Sequence, residues 1–228
     1  MGEVIRKTAA VADILSDVRL THERSMARPG TAFFEAAEAH LTPVLRLIDQ
    51  VEAEYQAATA EEAPLVHALE VADETADAVL ARNADAIWNA IGRPRSDAAY
   101  SMLFPAGISG YVDADVLDQP TRMELLVKLL RSGVHPKLPK EIAGAAADEI
   151  AAAAEDLAVA AEAIRKPRTR VGLLGRTRVA LARSAAVELS RMKRMLLVEG
   201  LGEAQIHEII PDRPRPKAKK PAAPISHA

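Results

Sequence analysis

The six histidines are the side chains best suited to hold a metal ion or move a proton near neutral pH, so their neighbours decide what chemistry is open to the chain. A carboxylate-bridged metal site in a helical bundle sets a Glu three residues before a His, so that both side chains reach one ion. Here that position holds Arg19, Ala37, Pro64, Ser132, Ala204 and Pro224, for His22, His40, His67, His135, His207 and His227 in turn. The spacing disfavours a di-iron enzyme. His22-Glu23 begins like a zinc-protease helix, but Met26 stands where the second His belongs. Glu203 and His207 share a helix face at i and i+4 and read as a solvated contact near a terminus. Cys is absent, which removes thiolate metal sites, cysteine nucleophiles and disulfides. No Walker loop, dinucleotide-binding glycine series, nucleophile elbow or kinase signature occurs. No catalytic residue, metal or cofactor is expected.

Two polar residues fall on otherwise apolar stripes, His22 on the first helix and Asn83 on the third. Such a residue either contacts a ligand or selects register and partner at some cost in stability, and the second reading is preferred.

Charge carries the positive functional signal. The formal net charge of −3 hides a sorting along the chain. From Glu35 to Ala90 twelve acids face only Arg46 and Arg82. From Ile164 to Arg194 ten cations (Arg165, Lys166, Arg168, Arg170, Arg176, Arg178, Arg183, Arg191, Lys193 and Arg194) face Glu188 alone. That run, with Lys217, Lys219 and Lys220 in the tail, is either a surface that follows a phosphate backbone with steep salt dependence, or one side of a charge pairing within the chain or between copies. No aromatic residue interleaves the basic run, which disfavours stacking on single strands. The tail stretch from Pro216 to Pro224 resembles the Lys/Ala/Pro-rich tails of linker-histone-like proteins. That resemblance spans about ten residues, is one of composition, and implies no shared fold.

The elements that must position these groups are helices. Nearly half of the 228 residues are apolar, mostly aliphatic, and aromatics are 3%; this mixture favours packed helices over a sandwich or barrel. Apolar residues recur at spacings of three and four along Val4 to Met26, Phe34 to Tyr55, Leu65 to Ile91, Ile142 to Ile164 and Leu174 to Leu196. The second stripe continues through Pro43 and predicts one kinked helix, with a break at Thr42 as the rival. Thr59 and Glu62 fit a capping box with Pro64 in the first turn, which predicts a helix start at Thr59. Lys166-Pro167 predicts an interruption between the Ala-rich helix and the basic one. Asp118 and Pro120 open a shorter helix closed by Gly133, and a last short turn of helix runs through Ile209.

The stretch from Arg93 to Pro120 has no sustained period, although Ser96-Asp97-Ala98-Ala99-Tyr100 could begin a short helix, and it holds Tyr100, Phe104 and Tyr111. It reads as a crossover or an interaction loop. The fold expectation is therefore all-α: an irregular antiparallel bundle of about five long or medium helices in one domain over residues 1–210, with a disordered Pro/Lys-rich tail over 211–228. No stretch is long and apolar enough to span a membrane, the N-terminal residues suggest no secretory or myristoylation signal, and a cytoplasmic location is the default.

The leading functional expectation is a non-enzymatic helical scaffold or interaction protein. It would self-associate or bind a protein partner through an Ala-lined helix face and the loop of Tyr100, Phe104 and Tyr111. The alternative is sequence-independent association with nucleic acid through the basic helix and tail. A third reading is a small-molecule-binding bundle or enzyme with its pocket near His22 and Asn83.

Overall fold

Three-and-four spacing of aliphatic side chains produces helices throughout the computed structural model, which describes residues 10–113 and 115–211. Lys217, Lys219, Lys220 and the rest of the expected tail beyond Pro211 lie outside the described residues. The elements are α1 (Val11–Met26), α2 (Ala32–His40), α3 (Thr42–Ala90), α4 (Ala98–Leu103), α5 (Ser109–Val112), α6 (Gln119–Ser132), α7 (Lys140–Val198) and α8 (Glu203–Ile209). Among the described residues there is no strand, only a single backbone bridge between Pro105 and Gly107. The protein is all-α.

The prolines divide differently from expectation. At Pro43 the predicted kinked helix is two helices: α2 stops at His40, Leu41 turns, and Pro43 lies in the first turn of α3, where its missing N–H has no partner to lose. At Thr59 the predicted start is not formed. Its hydroxyl donates to the Tyr55 carbonyl at 2.8 Å, a bond made from inside a helix, and α3 runs on through Pro64. Pro167 likewise sits inside α7 and does not interrupt it. An interior proline removes one ladder hydrogen bond and costs about 3 kcal/mol. Side chains on the same helices offset that, since Ala58, Leu69, Ile164 and Leu157 are all buried.

The chain groups into two compact units. In the first, formed by the described residues of 1–54 and 174–228, Val18 of α1, Phe33 and Ala36 of α2, Leu41, Ile48 of α3, Leu189 and Met192 of α7 and Ile206 of α8 share one apolar cluster. Of the predicted α1 stripe, Val18 is buried in it and Val11, Leu15 and Met26 pack against it partly buried, while Ile14, Thr21 and Ser25, beside that stripe, are buried as well; Val4 and Thr8 lie outside the described residues. Thr21 tolerates this because its hydroxyl donates to the Asp17 carbonyl at 2.7 Å.

The second unit, Tyr55–Leu173, packs Leu80 and Ile87 of α3 against Met123 and Leu126 of α6 and Ile150 and Leu157 of α7. Alanines 146, 147, 153 and 154 of α7 are buried within it. α6 forms as the sequence dictates: Pro120 in its first turn, Met123, Leu126, Val127 and Leu130 inward, and Gly133 closing it at φ +68°, a left-handed conformation that a Cβ would disfavour. The stretch from Arg93 to Pro120 is not bare loop but carries α4, begun by Asp97, and α5.

Candidate functional site

The expected interaction loop turns inward. Phe104 and Tyr111 are buried and Tyr100 is half-buried, and ring contacts run from Trp88 through Tyr100 and Phe104 to Tyr111 at centroid separations of 4.6, 5.0 and 5.8 Å. The Tyr111 hydroxyl donates to the Leu103 carbonyl at 2.6 Å, and burial raises both phenols above their ordinary range. These side chains belong to the core of the second unit. Asp97 anchors the segment: its carboxylate accepts from the Ala99 and Tyr100 amides at 2.9 Å and from His135 Nε2 at 3.1 Å. Those amides and the imidazole hold the Asp97 carboxyl below the usual carboxylate range, the Tyr100 amide most of all. His135 is satisfied on both nitrogens, since Nδ1 accepts from the Lys137 amide at 3.3 Å. It pins the chain and offers no free site for proton transfer.

The two polar seam residues also have partners. In the first unit Thr42 must donate to the Glu38 carboxylate, which can only accept, at 3.0 Å. His22 Nε2, 2.9 Å from the same hydroxyl, is therefore the protonated nitrogen. In the second unit Asn83 Nδ2 donates to the Val79 carbonyl at 3.0 Å and to Glu149 at 2.9 Å. Arg82 also bonds Glu149, and this bond, ahead of that from Asn83, lowers its carboxyl. A groove of about 390 Å³ borders His22, Thr42, Arg19, Arg46 and Asp49, and one of about 380 Å³ borders His135, Leu138 and Lys140. Among the described residues no three His, Asp or Glu side chains gather where they could hold a metal ion, and no helix is long and apolar enough to cross a membrane.

The basic run on α7 separates into two populations. Arg168 pairs with Glu62 at 3.7 Å, Arg170 with Glu61 at 3.2 Å, and Arg178 makes a two-pronged contact with Glu52 at 2.7 and 3.0 Å, so these three reach carboxylates of α3. Arg165 pairs with Glu162 and Arg191 with Glu188 on α7 itself. Glu188, the lone acid of the run, also meets His40 of α2 at 2.9 Å, and the hydrogen bond from His40 is the main reason its carboxyl is lowered. Lys193 is buried to 5% exposure. Arg176, Arg183 and Arg194 are exposed, and no carboxylate of the described residues lies within 4.0 Å of them. Lys166 is likewise exposed and unpaired among the described residues.

Helical geometry aligns those three arginines. Arg183 stands seven residues after Arg176 and Arg194 eleven after Arg183, close to whole numbers of turns at 3.6 residues each. They share the outward face of α7 with Val187, 50% exposed, and Val198, 88% exposed. The second unit has a counterpart on α3. Glu70, Asp73, Glu74 and Asp77 follow one another at i, i+3, i+4 and i+7 beside Val71, itself 49% exposed. Among the described residues these four acids have no Lys or Arg partner; Glu70 has only the His67 imidazole at 4.0 Å, and Asp77 accepts from the neutral Gln119 amide at 2.8 Å. Burial first, then Asp77 and Glu74, raise the Asp73 carboxyl. Sequence reading found the acidic and basic blocks but not which charges remain over, because the choice depends on which helix face meets which neighbour.

Compared with protein-family models, with curated proteins and with solved structures, the chain matches none.

Proposed function

We propose that this chain is a non-enzymatic helical interaction protein, and that it engages a protein partner, a second copy of itself included, through the outward face of α7 between Arg176 and Val198. The observation that carries the reading is that face: three aligned arginines, unpaired among the described residues, interleaved with two exposed valines. Exposed valines dispersed singly are ordinary, but beside desolvatable guanidinium groups on one long helix they form the apolar-and-Arg composition of protein interfaces. The aromatic segment and the Ala-rich face, the other surfaces of interest, are engaged in the core of the second unit.

Nucleic acid is the weaker fit. Five of the ten cations of the run are in ion pairs and Lys193 is buried. The three aligned arginines spread over about 27 Å of helix, whereas duplex DNA offers one charge per ~1.7 Å.

A photo-crosslinking residue placed in living cells at Val187 or Val198, and at Leu125 of α6 as an exposed control, tests the proposal. Adducts with protein from the two α7 positions and none from Leu125 are expected. Adducts with nucleic acid, or equal yields at all three positions, overturn it.

A further inference from the structure

We infer that the partner is a second copy of the chain, the α7 face of one copy docking on the acidic α3 stripe of another. This deepens the preceding reading and rests on it. Complementarity of charge and of pattern carries the inference. The α7 face offers Arg176, Arg183 and Arg194 without carboxylate partners, and the α3 stripe offers Glu70, Asp73, Glu74 and Asp77 without Lys or Arg partners among the described residues.

The spacing agrees as well as the sign. Arg176 and Arg183 are seven residues apart, as are Glu70 and Asp77, and each interval is two helical turns of about 10.5 Å. Two guanidinium groups laid along the stripe therefore each meet a pair of carboxylates. Val187 flanks the arginines and Val71 flanks the acids, and both are about half exposed. The chain already uses this chemistry between the same two helices, where Glu52, Glu61 and Glu62 of α3 hold Arg178, Arg170 and Arg168 of α7. Docking a copy repeats it with the charges left over.

The stripe is also strained electrostatically when bare. Four carboxylates within two turns repel one another, and the Asp73 carboxyl is raised by burial first and then by Asp77 and Glu74. Arginine from a second copy relieves that repulsion, so association and Asp73 ionisation favour each other.

Sedimentation equilibrium of the full-length protein at low and high salt, with two charge-reversed variants, tests the inference. The wild type is expected to rise above the 24.4 kDa chain mass with concentration at low salt, and to associate at least about tenfold more weakly at high salt. The variant with Arg176→Glu, Arg183→Glu and Arg194→Glu, and the variant with Glu70→Lys, Glu74→Lys and Asp77→Lys, should each stay at chain mass. Circular dichroism checks that both remain helical, and should the second lose its fold, Glu70→Lys with Glu74→Lys alone replaces it. An equimolar mixture of the two variants has a basic stripe facing an acidic α7 and recovers association. A wild type at chain mass at every concentration overturns the inference, as does association indifferent to salt or to either reversal. Crosslinks from Val187 to a different protein alone would then leave the interaction reading standing while removing self-association.

Discussion

At the scale of single residues, most polar side chains that sequence alone marks as chemically interesting are occupied by local structure. His135 illustrates it: an isolated His in the sequence, it is a buried clamp between Asp97 and the Lys137 amide. Truncating it removes packing and leaves Asp97 short of one donor, so His135→Ala should cost about 2–4 kcal/mol in chemical denaturation; a loss under half a kcal/mol would contradict the clamp. The acids divide by the direction of their shifts. Asp97, Glu149 and Glu188 are held below the usual carboxylate range by donated hydrogen bonds. Their stabilisation is therefore complete above the ordinary carboxylate pKa and is lost as pH falls through the lowered values. Asp73 is shifted the other way, chiefly by burial, so its ionisation opposes folding as pH rises through the raised value. Asp73→Asn should raise the melting temperature at neutral pH, and that gain should vanish well below pH ~4, where both forms are neutral. An equal gain at both pH values would assign the effect to something other than charge.

At the scale of elements, what was legible in the sequence is what local physics decides. The stripes on α6 and on the Ala-rich part of α7, a short helix beginning between Ser96 and Tyr100 and the glycine end of α6 follow from spacing and turn residues alone. The errors cluster at prolines, where local preference is ambiguous. Pro43 and Pro64 each follow a Thr able to open a helix and Pro167 was expected to interrupt one, yet of the three only Pro43 lies in a first turn. Thr59 satisfies the capping pattern as well as any residue in the chain, and the structure uses its hydroxyl for a bond back to Tyr55 instead. Packing of Ala58 and Leu69 on either side of Pro64, and of Leu157 and Ile164 ahead of Pro167, outweighs the local cost, and no window of sequence contains that packing. The contrast is measurable. Pro64→Ala restores an interior amide and should stabilise by about 1–3 kcal/mol, whereas Pro43→Ala in a first turn should change stability by less than about 1 kcal/mol. Equal effects would mean that Pro64, too, begins a helix.

At the scale of the whole molecule, charge is sorted between the two units. Segments 1–54 and 174–228 carry 17 Lys and Arg against 14 Asp and Glu, while 55–173 carries 12 against 18. The blocks were plain in the sequence, but the site was not, because a cation's role depends on which way its helix faces. Arg176 and Arg178 are neighbours in the chain with opposite duties: Arg178 grips Glu52, and Arg176 stands exposed and unpaired among the described residues. The division of α7 into a face that holds the fold and a face left over for a partner is the claim on which the functional reading depends. Denaturant unfolding of Arg178→Glu and Arg183→Glu, compared at high salt where association is suppressed, tests it most directly. Arg178→Glu sets a like charge against Glu52 in a half-buried contact and should cost about 1–3 kcal/mol, while Arg183→Glu should stay within about 0.5 kcal/mol of wild type. Equal losses, or the larger loss at Arg183, would contradict the division.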